Sequence, residues 1–122
     1  MKPSYIYSAL VLKIVDGDTI DCAVDLGFNT YVKERFRLYG IDTPEKNSKD
    51  PVLRDSAIAA TQFVKTAIDG KNILIDSTGK DKYGRWLAKV YVELGQPTIN
   101  EQLVSLGLAK AYFGDNKINL GR

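Results

Sequence analysis

The sequence predicts an α+β fold, a five-stranded OB-type β-barrel with two helices, on three observations. Three alternating apolar runs precede an amphipathic helical stretch, two shorter runs follow it, and a capping-box sequence opens a second helix. Three strands, a helix, two strands and a helix is the order of an OB barrel with its helix between strands three and four. The 122 residues suit one domain, 1–122, and 44% hydrophobic content is enough for a core.

Residues 5–15 read as strand one. The stretch from Tyr5 to Val15 is largely apolar behind Lys2, but Lys13 interrupts it and no small-residue cleavage site follows, so a signal peptide is not expected and a cytoplasmic location is the default. It is also too short to span a membrane. Asp16-Gly17 is a tight-turn signal, and 18–26 alternate as strand two. Across Gly27-Phe28-Asn29 the chain enters strand three, 30–41, completing a long hairpin. Polar, proline-containing residues 42–50 form a loop.

Asp50-Pro51 reads as an N-cap followed by proline at the first helical position. Leu53, Ala57, Ala60, Phe63, Val64 and Ala67 then recur at helical spacing, and Gly70 ends the run. Strand four is expected at 71–77, a Gly- and Lys-containing loop at 78–84, and strand five at 85–93. Thr98 and Glu101 supply the capping box of the second helix, closed by Gly107. Ala109 to Phe113 make a short extended piece, and the end of the chain, 113–122, is expected to be a loose tail.

Composition excludes several chemistries. With no histidine, every mechanism that needs an imidazole base is removed. The single cysteine allows neither a disulfide framework nor a thiolate zinc site, and Cys22, in the alternating run Ile20, Cys22, Val24, Leu26, reads as a core thiol. A bound metal must therefore be held by oxygen, which favours calcium, magnesium or manganese. Net charge is only +2, so its distribution matters more: Lys33, Arg35 and Arg37 cluster, as do Lys80, Lys82 and Arg85, against Asp16, Asp18, Asp42 and Glu45.

Three short stretches carry the candidate chemistry. In Val15-Asp16-Gly17-Asp18-Thr19, Asp18 shares strand parity with Ile20 and Cys22; it is either part of a hairpin turn or an inward carboxylate in need of a partner. Asp42, in the parity of Phe36 and Leu38, raises the same alternatives, and two inward carboxylates at strand ends could share a hard cation. Glu45 follows past Pro44. Arg85, beside Gly84 at the start of a strand, could grip a phosphate bidentately, with Arg37 as a second clamp. Arg37 is out of phase with Asp42, so only curvature or a bulge would bring both to one site. Either arginine could equally be a solvated surface charge.

Taken together, VDGDT (15–19), FRLYGIDTPE (36–45), DKYGRWLA (81–88) and NEQLVSLGLAKAY (100–112) resemble the staphylococcal nuclease (thermonuclease) family, in the family's order and over nearly the whole chain. The resemblance implies a calcium-dependent nuclease acting on DNA and RNA, preferring single strands and leaving 3′-phosphate ends. It implies that Asp18, Asp42 and the Thr43 carbonyl bind calcium and that Glu45 orients or deprotonates water. Arg37 and Arg85 would hold the phosphate, Lys82 and Tyr83 would contact a terminal phosphate, and Tyr112 would lie near a base. The hairpin of strands two and three is longer than in the best-known member, and segment 46–56 is shorter and lacks its lysine-rich loop. A monomer is expected. The alternatives are a non-catalytic OB-type module binding nucleic acid or protein, and a scaffold for inhibition or assembly. Inward Asp18 and Asp42 beside a phosphate site favour the enzyme, because without a cation they repel the backbone of a nucleic acid.

Overall fold

A computed structural model describes residues 3–113; the tail beyond Phe113 lies outside the described residues. Strands β1 (Ile6–Asp16), β2 (Thr19–Gly27) and β3 (Thr30–Leu38) form an antiparallel meander. Their alternation puts Ile20, Cys22, Val24, Phe36 and Leu38 in the core. In β1 a bulge between Val11 and Lys13 shifts the phase, so that Val11 and Ile14, three residues apart, are both buried. The Cys22 thiol is fully buried, and burial, reinforced by the charge of Asp21, pushes it up to about 12. It is the inert core thiol expected.

Beyond Leu38 the structure departs from the reading of one strand to residue 41. The chain turns at Tyr39-Gly40, where Gly40 has φ +78°, and resumes as a separate two-residue strand, β4 (Ile41–Asp42). A left-handed conformation and the nearby Phe113 ring, 3.0 Å from where a Cβ on Gly40 would stand, both call for glycine there.

Helix α1 (Pro51–Ile68) starts as expected: the Asp50 carboxylate accepts from the Val52 N–H at 2.9 Å, and proline opens the helix. Its buried stripe is Ala57, Ala60, Val64 and Ile68, with Phe63 and Ala67 partly buried beside it. Leu53 is exposed, contrary to the expected face, because the whole first turn, 51–55, lies outside the contact with the barrel. The small residues on the stripe have a purpose. A Cβ on Gly17 would come within 2.8 Å of Ala60 Cβ, so α1 presses directly on the β1–β2 turn.

Strands β5 (Asn72–Lys80) and β6 (Trp86–Tyr91) pair antiparallel. A bulge between Ser77 and Gly79 carries β5 three residues past its expected end, and the intervening loop shrinks accordingly. The parallel pairing of β3 with β6 and the antiparallel pairing of β1 with β5 close the barrel in the order β1-β2-β3-β6-β5. The five-stranded barrel expected from element order is therefore closed.

Helix α2 (Ile99–Ser105) has its full capping box: Thr98 Oγ1 accepts from the Glu101 N–H, and Glu101 Oε1 from the Thr98 N–H, each at 3.0 Å. After it, β7 (Lys110–Ala111) pairs with β4, which realises the short extended piece. Phe113, at the end of that piece, meets Tyr39 edge-on at 5.6 Å between ring centres. Buried Asn100 ties α2 to the barrel. Its Oδ1 accepts from the Val90 N–H at 3.0 Å, and its Nδ2 donates to the carbonyls of Tyr39 at 2.8 Å and Ala88 at 3.0 Å.

Asn100→Ala strands the Val90 N–H and the Tyr39 carbonyl, while the Ala88 carbonyl keeps its bond from the Tyr39 N–H at 2.8 Å, so it should destabilise the fold by about 2 kcal/mol, given ~1–3 kcal/mol for a buried group left unpaired. Urea unfolding measures this; a change below ~0.5 kcal/mol, the scale of an ordinary surface substitution, would contradict the bridging role.

Candidate active site

Asp18 begins the site. It lies in the β1–β2 turn that α1 covers and is 8% exposed, on the inward side that strand parity assigned to it. A carboxylate so placed must be compensated. Thr19 Oγ1 donates to Oδ1 at 3.1 Å, the Thr43 N–H donates to Oδ2 at 3.3 Å, and Arg37 Nη2 lies 3.5 Å from Oδ2. Burial alone raises the Asp18 carboxyl, but the interactions with Asp16, Arg37 and Thr43 outweigh it and hold it below the ordinary 3.8. Asp16, whose Oδ1 accepts from the Asp18 N–H at 3.1 Å, moves the other way, raised by burial and by the neighbouring Asp18. Asp18 is therefore the more acidic of the two.

Arg37 reaches this carboxylate from the end of β3. Its side chain is only 13% exposed; Nη1 donates to the Ile41 carbonyl at 3.1 Å and Nη2 to Asp42 Oδ1 at 3.0 Å. One guanidinium thus bridges Asp18 and Asp42. Two expectations about Asp42 are corrected. Its side chain is 53% exposed rather than inward, and its phase relative to Arg37 presents no obstacle, because the break at Tyr39-Gly40 resets the alternation. Thr43, the next residue, is buried. Glu45 is exposed in the following loop, where Lys46 Nζ donates to the Val15 carbonyl at 2.8 Å and fastens the segment to the β1–β2 turn. Lys46 was not singled out in the sequence, and nothing in its immediate context marks it.

Arg85 stands at the end of a loop organised by Asp81. Asp81 Oδ1 accepts from the N–H groups of Tyr83 at 2.8 Å and Arg85 at 2.9 Å, and its Oδ2 accepts from Arg85 Nε at 2.6 Å. Gly84, at φ +80°, closes the turn. The Arg85 and Lys82 head groups lie 5.3 Å and 5.2 Å from the exposed Tyr83 ring centre. Arg37, Arg85, Thr19 and Trp86 all line one cavity of about 290 Å³. So the structure brings both arginines to one opening, Asp18 and Asp42 to Arg37, and Thr43 to Asp18. Tyr112 stands apart: its N–H donates to the Gly40 carbonyl at 2.8 Å, and its exposed side chain does not line the cavity. Asp81, Lys46 and Asn100 are the positioning residues that the sequence reading missed; Asp81 had a legible signal, an Asp two residues before an aromatic and three before Gly.

The donors suit a hard cation. Asp18 and Asp42 offer carboxylate oxygens, and the Thr43 carbonyl would be a third oxygen of the type that calcium takes, with water completing the shell. Among the described residues no three His, Cys, Asp or Glu side chains converge, so a cation would rely on that carbonyl and water. The guanidinium bridging the two carboxylates shows where their field draws positive charge.

The Asp81 carboxyl is raised by burial but lowered further by its bonds from Arg85 and Tyr83, and sits below its ordinary 3.8. Its folded-state pKa being depressed, its stabilisation is present above 3.8 and is lost as pH falls through the lower folded value. Asp81→Asn should therefore be less stable than the parent at pH 7, with the difference shrinking toward pH 3. A pH-independent difference in urea melts would show that the charge plays no part.

Comparison with known proteins places this geometry. Residues 35–121 match the family described as Staphylococcal nuclease homologue. The chain is 39% identical over 108 residues to a thermonuclease of Staphylococcus intermedius, covering 87% of this chain and 60% of that protein. It is 34% identical over 105 residues to a thermonuclease of Staphylococcus hyicus (84% and 58% covered), and 31% identical over 102 residues to an uncharacterized endonuclease of Escherichia coli O157:H7 (84% and 59%). It thus spans about 60% of the length of these curated relatives. The barrel, the matched residues and these identities together show that the chain belongs to the staphylococcal nuclease family.

Proposed function

We propose that the chain is a calcium-dependent nuclease that hydrolyses phosphodiester bonds of DNA and RNA, prefers single strands and leaves 3′-phosphate ends. The observation that carries the reading is Arg37, held between Asp18 and Asp42 and sharing a cavity with Arg85. Asp18, Asp42 and the Thr43 carbonyl would hold the cation, which when bound supplies charge that stabilises the phosphorane and favours hydroxide. A phosphodiester is already anionic and gains a second charge as water adds to phosphorus. Arg37 and Arg85 can each present a planar pair of N–H donors to that charge where it develops. Glu45 takes the proton of the attacking water, and the bond from phosphorus to the 5′ oxygen breaks; that oxygen leaves with the bonding pair and takes a proton from solvent water to become the 5′ hydroxyl, leaving phosphate on the 3′ side. Lys82 and Tyr83, exposed on the Asp81 loop, contact a terminal phosphate, and Tyr112 lies near a base.

Phosphate grip and base stacking do not read the 2′-hydroxyl, which supports activity on both DNA and RNA. A pure binding module on the same barrel gains nothing from a buried, charged Asp18, which repels phosphate unless a cation is present.

Three variants separate the roles. Glu45→Gln should lower kcat by roughly 10²-fold, the usual share of a general base, with nucleotide binding intact. Asp18→Asn should lose activity that added calcium recovers in part. Arg85→Lys, which keeps charge but loses the fork, should lose on the order of 10²–10³-fold in kcat more than in KM. Steady-state kinetics on a single-stranded oligonucleotide checks all three, and near-parental kcat throughout would leave the binding module as the better reading.

A further inference from the structure

The β2–β3 hairpin reaches well beyond what the site needs, and its tip is unusual. Phe28 is 101% exposed and takes φ +56°, with Asn29 at φ +58°. A left-handed conformation disfavours a large side chain, and full exposure returns no burial, so the fold has no use for phenylalanine there. Tyr31, one turn residue and one ladder position on, is 65% exposed.

The strand between tip and site is not neutral. Phe36 and Leu38 face the core, so Tyr31, Lys33, Arg35 and Arg37 share the outward face of β3. Across the ladder, Asp21 is held by Arg35 at 2.7 Å and 3.1 Å and faces Lys13 of β1, while Lys33 lies opposite Ala23. Asp25, opposite Tyr31, turns its Oδ1 back to accept from the Gly27 N–H at 2.8 Å. The face therefore runs from an aromatic tip past Lys33 and Arg35, with Glu34 half-buried between them and lining the same openings, to the guanidinium at the candidate active site. At ~3.3 Å per residue, Tyr31 and Arg37 are about 20 Å apart, a reach within the ~4–16 nucleotides that one OB fold spans.

We propose that this outward face of β3, with Phe28 at its tip, is an extended binding track for single-stranded nucleic acid, engaging phosphates through Lys33 and Arg35 and stacking bases on Tyr31 and Phe28. Exposed rings at the tip followed by cations along the strand fit a polyanion that carries flat bases, and continuity with Arg37 fits the strand that site would cut. The inference rests on the nuclease reading for its ligand, but concerns affinity and length dependence rather than chemistry.

The test uses labelled single-stranded oligonucleotides of 4 and 12 nucleotides and the variant Phe28→Gly, Tyr31→Ser. Glycine suits the backbone at position 28 and both side chains are exposed, so the fold should be retained; thermal melts confirm it. Fluorescence anisotropy in chelator should show the parent binding the 12-mer on the order of 10-fold tighter than the 4-mer, and the variant losing on the order of 10-fold for the 12-mer alone. In calcium, KM for the 12-mer should rise with kcat kept. A variant that binds the 12-mer as the parent does, or that loses both lengths equally, overturns the track. So does a variant that instead loses association with anionic vesicles or self-association while oligonucleotide binding persists. Length-dependent binding without cleavage of either oligonucleotide would leave the track standing and count against the nuclease reading alone.

Discussion

A carboxylate that the barrel buries and must keep charged is the constraint on which the rest of the site depends. Asp18 lies where α1 closes over the β1–β2 turn, and the desolvation of an ion there costs several kcal/mol before compensation. Compensation comes from three directions: the Thr19 hydroxyl from its own strand, the Thr43 N–H from beyond β4, and Arg37 from the end of β3. These contacts explain why separate stretches of chain meet at one point. A buried pair of this kind adds little net stability, and the proposed nuclease reading gives it a use as charge held for a ligand.

The loops follow from the same requirement. Strand three must stop at Leu38 for Asp42 to return to Arg37, and Gly40 with the β4–β7 pair makes that return. Lys46 anchors the Glu45 loop to Val15, and Asp81 fastens Arg85 by backbone and side chain together. Asn100 satisfies backbone groups on Tyr39, Ala88 and Val90, so α2 braces both the turn before β4 and the strand that leaves the Arg85 loop. Each device places a candidate site residue on a segment whose own hydrogen bonds are made, which limits its freedom.

Much of this was legible because it is local. The period of two in β2, the Asp50-Pro51 start of α1, the Thr98–Glu101 capping box and the inward parity of Asp18 depend on neighbours in sequence, and the structure has them. What escaped depends on partners far along the chain. Alternation predicted an inward Asp42 because it cannot register a break at Tyr39-Gly40, which a distant strand, β7, and Phe113 help to hold. The exposed first turn of α1 was hidden for a related reason: an apolar Leu53 at helical spacing says which face it is on, not whether the barrel extends that far. The roles of Lys46 and Asn100 exist only in three dimensions.

The most direct test of the central claim, that Asp18 and Asp42 hold a divalent cation beside a phosphate gripped by arginines, is cleavage of a single-stranded oligonucleotide across a calcium titration, with chelator as the zero point. Activity should be absent in excess chelator, rise saturably with calcium, and require more calcium when Asp42 is replaced by Asn. Full activity in excess chelator would contradict the account.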